Sequence, residues 1–231
     1  MIGKGRCSLV FEAKNEVSKR VCIKIEPCED CSQITNEINI LRNQLFDCIG
    51  VPKLLFDGET EYLGTMWRAI VTGMKYKHFD LIPDVVGDKT LEDFSFGDRL
   101  VLEDVANQAI DILEAIHKRG VIHKDIKPSH LVFFQNSLYL IDFGAAGPPG
   151  PSDLVTWRFA SILGHFKGLD LDEKSDFESL WFSFLSLHGK LPWDGVDQGN
   201  ALTLKLRSKP CDLQQQYPTL ANIFYPLLEA D

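Results

Sequence analysis

The stretch that most constrains this chain covers residues 121–144 and places two carboxylates at the ends of a predicted hairpin. Two short apolar runs, 131–134 and 138–141, are separated by three polar residues, a pattern typical of two strands joined by a turn. Asp125 precedes the first run, and Asp142 follows the second. Because a hairpin brings its two ends together, we expect both acids to face a single cleft.

Lys127 adds a cation to the loop that carries Asp125. One acid can orient a hydroxyl, a second acid can hold a divalent metal, and a lysine can neutralise phosphate charge. Those three tasks are what the transfer of a phosphoryl group requires. On these residues alone, a structural hairpin with solvated charges stays open as the alternative.

Two motifs in this stretch resemble those of eukaryotic protein kinases. Residues 123–128, HKDIKP, are similar to the catalytic loop HRDLKP, and residues 142–144 are the triplet DFG. The lysine that follows the catalytic Asp resembles the serine/threonine branch rather than small-molecule phosphotransferases. The resemblance implies that Asp125 and Lys127 are catalytic and that Asp142 binds a metal.

The resemblance also implies an α+β fold in which two lobes enclose an ATP cleft. We expect a small antiparallel β-sheet lobe with one helix over residues 1–73 and a larger, mostly helical lobe over residues 74–231. Sequence patterns predict strands in the first lobe over residues 9–13, 20–25, 51–56 and 68–72. A turn is expected at Asp57 and Gly58.

The start of the chain resembles the glycine-rich loop that covers the phosphates of ATP. Residues 3–10, GKGRCSLV, follow the pattern G-x-G-x-x-G-x-V with serine at the third glycine. Glycine lets the backbone approach a phosphate closely. The matched positions imply nucleotide contacts at Gly3, Gly5, Ser8 and Val10.

The next strand and helix supply an ion pair that the resemblance implies. Residues 21–24, VCIK, are similar to V-A-I-K, so Cys22 would lie against adenine and Lys24 would meet the α- and β-phosphates. An apolar stripe at helical spacing follows, at Ile34, Ile38, Leu41 and Leu45. Glu37 lies on the same predicted helix, and the resemblance pairs it with Lys24.

The adenine end of the cleft is expected at residues 73–76, the predicted hinge. Backbone groups near Thr72 and Met74 would bond the edge of the adenine ring. From the other lobe, Val132 is implied as a further nucleotide contact.

The carboxy-terminal half carries a closer resemblance to the casein kinase 1 group. Residues 156–162, TWRFASI, resemble T-x-R-Y-A-S-I, and residues 175–180 and 189–193 resemble D-D-L-E-S-L and G-x-L-P-W. Asp176 would cap the catalytic loop from a buried helix. The resemblance covers residues 3–193 and then fades, which suggests a kinase domain cut at both ends.

Two substitutions depart from the family pattern. His130 replaces an asparagine that binds Mg²⁺, and Mg²⁺ prefers oxygen ligands whereas imidazole suits transition metals. We therefore expect ATP as the cofactor together with Mg²⁺ at a weakened site, and hypothesise that any activity shows an unusual preference for Mn²⁺. The resulting predicted activity is transfer of the γ-phosphoryl group of ATP to a protein serine or threonine. A pseudokinase or nucleotide-binding scaffold stays open as the alternative because of His130.

Lys124 replaces the arginine that clamps an activation-loop phosphate in the family, and lysine lacks the bidentate fork. The loop after DFG, GPPGP at residues 147–151, is short and stiff. Both features predict activity that does not depend on such a phosphate. Ser152 and Thr156 stay open as phosphorylation targets, although solvent-exposed loop hydroxyls are the expectation for both.

Charge and hydrophobicity limit the classes of partner that the chain is expected to bind. A net charge of -9 and a pI near 5.2 argue against a broad surface for nucleic acid or anionic membrane. The most apolar run, residues 180–187, is far shorter than the about 20 residues of a membrane span. We expect a monomer that acts on protein substrates.

The amino terminus lacks the apolar core of a signal peptide, so a cytoplasmic or nuclear setting with six free thiols is expected. Cys28 and Cys31 have the spacing of a zinc or redox pair. A second pair at zinc spacing and a βαβ pattern are both missing from the sequence, so the two thiols are predicted to be free in a surface loop.

Overall fold

The computed structural model describes residues 3–4, 8–14, 20–73, 89–91, 99–134 and 137–229. Gly5, Met74 and the predicted hinge beyond Gly73 lie outside these residues. The described part begins with an antiparallel sheet that carries one helix and continues with a mostly helical portion. This is the α+β arrangement that the sequence predicts.

The amino-terminal sheet consists of β1 (Gly3–Lys4), β2 (Leu9–Lys14), β3 (Arg20–Pro27), β4 (Lys53–Tyr62) and β5 (Thr65–Gly73). Their order across the sheet is β1-β2-β3-β5-β4, with antiparallel pairing throughout. Helix α1 (Ser32–Asn43) connects β3 to β4 and packs against the sheet. The predicted helical stripe is confirmed for Ile34, Ile38 and Leu41, which are buried on α1, whereas Leu45 is buried but lies beyond the end of the helix.

The turn predicted at Asp57 and Gly58 is wrong. Both residues lie inside β4, and the chain reverses instead at Leu63 and Gly64, which have φ angles of 53° and 74°. A two-residue hairpin turn with positive φ at both positions matches the twist of its strands. Leu-Gly is not one of the usual sequence signals for such a turn, whereas Asp-Gly is, so the local pattern pointed to the wrong place.

The second portion is built from helices around a small sheet. The helices are α2 (Arg99–His117), α3 (Glu173–Ser186), α4 (Gln198–Leu206), α5 (Pro210–Leu213) and α6 (Pro218–Leu228). The sheet contains β6 (Lys89–Thr90), β7 (Leu131–Phe134) and β8 (Ser137–Leu140), in that order. Aromatic side chains fill the core here, with Trp181 packed on Phe224 and Phe182 edge-on to Trp193.

The hairpin predicted between Asp125 and Asp142 is confirmed, with its second strand one residue earlier than expected. Helix α2 ends at His117. Lys118 and Arg119 follow, and then Gly120 with a φ of 73°, a glycine position that is common just after the end of a helix. None of the helices in the described residues combines the length and the apolar character needed to cross a bilayer.

The Cys28 and Cys31 pair lies in a short 3-10 turn that leads into α1, and both thiols are free. Neither side chain is fully exposed, since Cys31 packs against the core beside α1. Cys28 and Cys31 form no disulfide in the described structure, and the segment is an ordered helix entry rather than the open loop that was predicted.

Gly50, which precedes β4, contacts the hairpin of β7 and β8 closely. Its carbonyl oxygen accepts a hydrogen bond from the backbone N–H of Leu140 at 2.8 Å, and its φ is 73°. A Cβ atom at this position would lie 2.3 Å from Cγ1 of Ile112 on α2. Glycine is therefore needed both for the backbone conformation and for the space.

Gly50→Ala and Gly64→Ala form a matched test of that contact, since Gly64 has a φ of 74° and no atom within 4 Å of an added Cβ. We expect Gly64→Ala to lower the free energy of unfolding by about 1 kcal/mol, the cost of a left-handed backbone for a residue with a Cβ. Gly50→Ala should lose a further roughly 1–3 kcal/mol from overpacking. Chemical denaturation measures both variants, and equal losses would contradict the assigned contact.

Candidate active site

A lysine on β3 joins two carboxylates from different parts of the chain. Lys24 Nζ donates to Glu37 Oε2 at 2.8 Å and to Asp142 Oδ1 at 2.7 Å. Burial lowers the pKa of Lys24, but the charges of the two carboxylates outweigh burial and raise it above its ordinary value. The ion pair expected between Lys24 and Glu37 is present, and Asp142 connects it to the end of the hairpin.

Asp142 is held in an unusual backbone conformation, with φ of 66° and ψ of 72°. Non-glycine residues keep such a conformation only where the surroundings impose it. The second carboxylate oxygen, Oδ2, lies 3.3 Å from Nε2 of His130. Burial raises the pKa of Asp142, but the hydrogen bond with His130 and the charge of Lys24 hold it well below its usual value. The carboxylate is therefore ionised at neutral pH.

The contacts of His130 define what each ring nitrogen can do. Nδ1 lies 3.0 Å from the backbone carbonyl oxygen of Asp125, and a carbonyl oxygen only accepts, so Nδ1 carries a hydrogen. Nε2 then faces Asp142 with either a second N–H or a lone pair. In the second form, Nε2 and the Asp142 carboxylate could both bind one metal ion.

Asp125 is surrounded by hydrogen-bond donors. Its Oδ2 accepts from Lys127 Nζ at 2.8 Å, and its Oδ1 accepts from the backbone N–H and the hydroxyl of Thr156 at 3.0 and 2.7 Å. Burial raises the pKa of Asp125, but the positive potential of His130 and Lys127 and the hydrogen bonds outweigh it and lower the pKa. The expectation of a solvent-exposed Thr156 hydroxyl is wrong, because that hydroxyl is half-buried and bonded to Asp125.

The loop that carries Asp125 is fixed by Asp176, as the sequence predicts. The Asp176 carboxylate is 1% exposed and accepts from the backbone N–H groups of His123 and Lys124 at 2.7 and 2.9 Å. Its Oδ2 also lies 2.9 Å from Nε2 of His117 on α2. Helices α2 and α3 thus hold the loop backbone from beneath.

His123 is a neutral side chain that hydrogen-bonds to the backbone on both of its sides. Its Nε2 lies 3.1 Å from the carbonyl oxygen of Ile141, so Nε2 must donate, and Nδ1 accepts from the backbone N–H of Asp125 at 3.3 Å. Burial lowers the pKa of His123. The neutral ring therefore satisfies both partners and links the Asp125 loop to the residue before Asp142.

Of the residues predicted to contact the nucleotide, those that the structure describes lie on one face of the sheet or next to it. The cross-strand register aligns Gly3 with Val10 and Val10 with Lys24, and paired positions share a face. Cys22 lies two residues from Lys24 on the same face and packs in a small cluster with Val132 of β7. Burial raises the pKa of the Cys22 thiol to about 11, so it stays protonated. Ser8 is half-buried and directly precedes β2.

Residues 1–159, well over half of the chain, match the family described as the protein kinase domain. The chain belongs to the protein kinase family. The probable casein kinase I homolog of Encephalitozoon cuniculi is 27% identical to it, over 93% of this chain and 68% of that protein. Casein kinase I homolog 3 of Saccharomyces cerevisiae is 28% identical over 86% of this chain, which spans 46% of the yeast protein.

The solved structure of vaccinia related kinase 3 shares the fold. The match has a TM-score of 0.66 at 16% sequence identity and covers 89% of this chain and 69% of that one. The predicted family and the two-part kinase fold are thus confirmed, and the distant homologues place the chain near the casein kinase 1 group.

The three stretches that resemble casein kinase 1 meet in this kinase domain. Arg158 forms a bidentate pair with Asp194, at 2.7 and 2.8 Å, and the Arg158 carbonyl accepts from Trp193 Nε1 at 2.8 Å. The Glu178 carboxylate accepts from the backbone N–H of Ile162 at 2.6 Å. Residues 156–162 are therefore anchored along their length, next to the Thr156 contact with Asp125.

Sequence reasoning missed Lys205 on α4. Its Nζ donates to the carbonyl oxygens of Trp157 and Ala160 at 2.7 and 2.6 Å and lies 5.0 Å from the centre of the Phe182 ring. Burial lowers the pKa of Lys205 to about 7, with the charge of Glu178 acting in the opposite direction. In the sequence this lysine resembles any charge on a surface helix, and its burial is visible only in the structure.

Replacing Asp176 with asparagine tests the support of the Asp125 loop. An Asn amide keeps one acceptor oxygen but replaces the other with an NH₂ group, which would face a backbone N–H instead of accepting from it. We expect Asp176→Asn to lower the free energy of unfolding by about 2–4 kcal/mol, as for other broken buried polar networks. Asp170→Asn, the same change at an exposed residue, is the control and should stay within about 0.5 kcal/mol of the parent. Similar losses for both variants in chemical denaturation would refute the supporting role.

Proposed function

We propose that this chain is a protein serine/threonine kinase, which transfers the γ-phosphoryl group of ATP to a hydroxyl of a protein substrate. The observation that carries the proposal is the continuous set of contacts from Glu37 through Lys24 to Asp142, with His130 linking Asp142 to the Asp125 loop. In protein kinases the lysine–glutamate pair and the DFG aspartate must both be in place for phosphoryl transfer.

Asp125 has the role of orienting the acceptor hydroxyl. Because its pKa is lowered, it is a carboxylate at neutral pH and accepts a hydrogen bond from the substrate O–H. The hydroxyl oxygen then forms a bond to the γ-phosphorus, while the bond from that phosphorus to the β–γ bridging oxygen breaks and ADP leaves with the electron pair. The hydroxyl proton passes to Asp125. Lys127, 2.8 Å from Asp125, offsets negative charge on the transferred group.

The other proposed contacts hold ATP in place. Lys24 meets the α- and β-phosphates, and Cys22 and Val132 enclose adenine between the two lobes. Gly3, Gly5, Ser8 and Val10 cover the phosphates, and backbone groups near Met74 bond the adenine edge. These assignments define an amino-terminal lobe of residues 1–73 and a carboxy-terminal lobe of residues 74–231, with the cleft between them.

Asp142 and His130, at the end of the hairpin, fit a divalent cation. They offer oxygen and nitrogen donors, whereas the usual pair of aspartate and asparagine offers oxygen alone. Asp142 supplies carboxylate oxygens, which suit Mg²⁺, while Nε2 of His130 is a nitrogen donor 3.3 Å from Asp142 Oδ2. A cation bound by these residues would neutralise charge on the phosphates. The mixed donors favour Mn²⁺ over Mg²⁺ relative to kinases with asparagine at this position.

Protein hydroxyls are the proposed substrates for two reasons. Lys127 follows the pattern of serine/threonine kinases, and a similar fowlpox virus protein, 25% identical over 85% of this chain, is named as a probable serine/threonine-protein kinase. A preference for acidic or phosphorylated sites, usual in the casein kinase 1 group, is not proposed. The residues before the S-D-F-E-S-L stretch are Asp172, Glu173 and Lys174, so a basic site for such substrates is missing there.

The second candidate function is a nucleotide-binding scaffold without catalysis. Its specific support is the imidazole of His130, which occupies the side of Asp142 where the family has a second metal ligand. In its doubly protonated form, that ring would supply positive charge to Asp142 and compete with a metal ion. The two candidates differ in phosphate transfer, not in nucleotide binding.

Asp125→Asn separates the two candidates. With ATP, Mg²⁺ or Mn²⁺ and a mixture of serine- and threonine-containing protein substrates, we expect this change to lower phosphate transfer by about 100-fold or more, the contribution of a positioned base. Thermal-shift titration with ATP should be unchanged, because Asp125 acts on the substrate. Asp153→Asn, on an exposed carboxylate, is the control and should transfer normally. ATP binding without transfer in the parent protein would favour the scaffold.

His130→Asn tests the metal preference. It replaces a nitrogen donor with an amide oxygen, so Mg²⁺ should support turnover better than before. We expect the ratio of Mn²⁺-supported to Mg²⁺-supported turnover to fall by about 10-fold, the lower end for changes at metal sites. An unchanged ratio would remove His130 from the metal site.

A further inference from the structure

An asparagine on α1 makes an unusual set of contacts with the turn that follows Asp142. The Nδ2 atom of Asn36 lies 2.7 Å from the carbonyl oxygen of Ala146, 3.1 Å from that of Gly144 and 3.4 Å from that of Phe143. Asn36 is more than 100 positions away in the sequence from each of these three turn residues. The amide therefore joins the amino-terminal helix to the end of the catalytic hairpin.

The chemistry of the partners determines which end of the Asn36 amide faces the turn. All three partners are carbonyl oxygens, which can only accept hydrogen bonds. An oxygen at the same place would face three other oxygens and find no hydrogen. The NH₂ group must lie there, and its two hydrogens are shared among the three carbonyls.

Neighbouring residues on α1 contact the same turn. Glu37 Oε1 accepts from the backbone N–H of Phe143 at 3.3 Å, so adjacent helix residues bind both a donor and the acceptors of the turn. One turn of helix earlier, Gln33 packs so closely that a Cβ on Gly144 would lie 3.2 Å from its Cβ. Residues 33, 36 and 37 have the spacing of a single helix face.

The contact of Asn36 lies directly beside Asp142, the residue with a strained backbone in the site. Asp142, with its φ of 66°, directly precedes the turn that Asn36 binds. Strained backbone persists only where neighbouring contacts impose it. Asn36 and Glu37 hold the chain on the carboxy-terminal side of Asp142, and the Asp142 carboxylate then faces Lys24 and His130.

We propose that Asn36 is a positioning residue that fastens α1 to residues 143–146 and thereby keeps Lys24, Glu37 and Asp142 assembled. The fastening uses an uncharged amide and backbone carbonyls, so it needs no phosphate on the activation segment. This supplies a physical basis for an assembled site in a chain that has Lys124 where the family has a phosphate-clamping arginine. The consequence for phosphate transfer rests on the proposed kinase function, whereas the fastening itself does not.

Asn36→Asp and Asn39→Asp form a matched pair of variants. Both change one amide of α1 to a carboxylate of nearly the same size, but Asn39 is exposed and Asn36 is half-buried against the turn. In Asn36→Asp a carboxylate oxygen replaces the donor and faces the three carbonyls. Asn36→Ala removes the donor without adding charge, and so separates loss of the hydrogen bonds from repulsion by the new carboxylate.

Amide hydrogen exchange of the complete protein, without nucleotide or substrate, tests the fastening. We expect backbone amides of residues 143–147 to exchange about 10-fold faster or more in Asn36→Asp and Asn36→Ala, as loss of buried hydrogen-bond partners predicts. Asn39→Asp should match the parent in this segment. Equal exchange in the Asn36 and Asn39 variants would overturn the proposal. The amides of α3, none of which hydrogen-bonds to Asn36 or Glu37 in the described structure, show whether a variant is destabilised as a whole, and equal acceleration there would also count against a local role.

Kinetics test the consequence for the site. In Asn36→Ala we expect a higher KM for ATP and a lower kcat, with the KM for the protein substrate unchanged, because only the nucleotide side of the site is loosened. An unchanged KM for ATP and kcat beside faster exchange would overturn the positioning role while leaving the fastening in place. If the parent protein transfers no phosphate, the proposed function fails, and the exchange result still decides the fastening. In that case the dissociation constant for ATP replaces KM.

Discussion

The ammonium group of Lys24 lies between the carboxylates of Glu37 and Asp142, and the rest of the site is arranged around this contact. Lys24 lies on a strand, Glu37 on a helix and Asp142 in the turn after a hairpin. Three separate parts of the fold must therefore place these side chains within hydrogen-bond distance of one another. A buried ion is costly unless its partners are in place, and removing one partner leaves the others uncompensated. The positions of α1 and of the Asp142 turn are therefore coupled through one charge.

Two further sets of contacts keep that geometry rigid. On one side, Asn36 and Glu37 bind the backbone of residues 143–146, so the helix and the turn behave as one unit. On the other side, the buried carboxylate of Asp176 holds the loop of Asp125 from beneath, and the neutral His123 ring connects this loop to Ile141. Both sets bind backbone groups, so they hold the main chain next to Asp125 and Asp142.

His130 gives the site its individual chemistry. Its Nδ1 is committed to the Asp125 carbonyl, so only Nε2 can interact with Asp142, a metal ion or a proton. This one side chain thus connects the loop that carries Asp125 to the carboxylate of Asp142. In its protonated form the same ring adds to the positive potential that lowers the pKa of Asp125. Under the proposed kinase function, His130 would therefore influence both the choice of metal ion and the transfer of phosphate.

The sequence by itself determined the family, the two-part fold, the pairing of Lys24 with Glu37 and the hairpin between Asp125 and Asp142, because those features are carried by short motifs and by helical or alternating periodicity. It misplaced the β4–β5 turn, since Leu63-Gly64 lacks the usual side-chain signal and Asp57-Gly58 carries it. Only the tertiary structure decided the contacts of Asn36, the burial of Lys205 and the bond between Thr156 and Asp125. Each of these joins residues far apart in the chain through one polar group, and neither periodicity nor motif spacing records which distant backbone atoms such a group will meet.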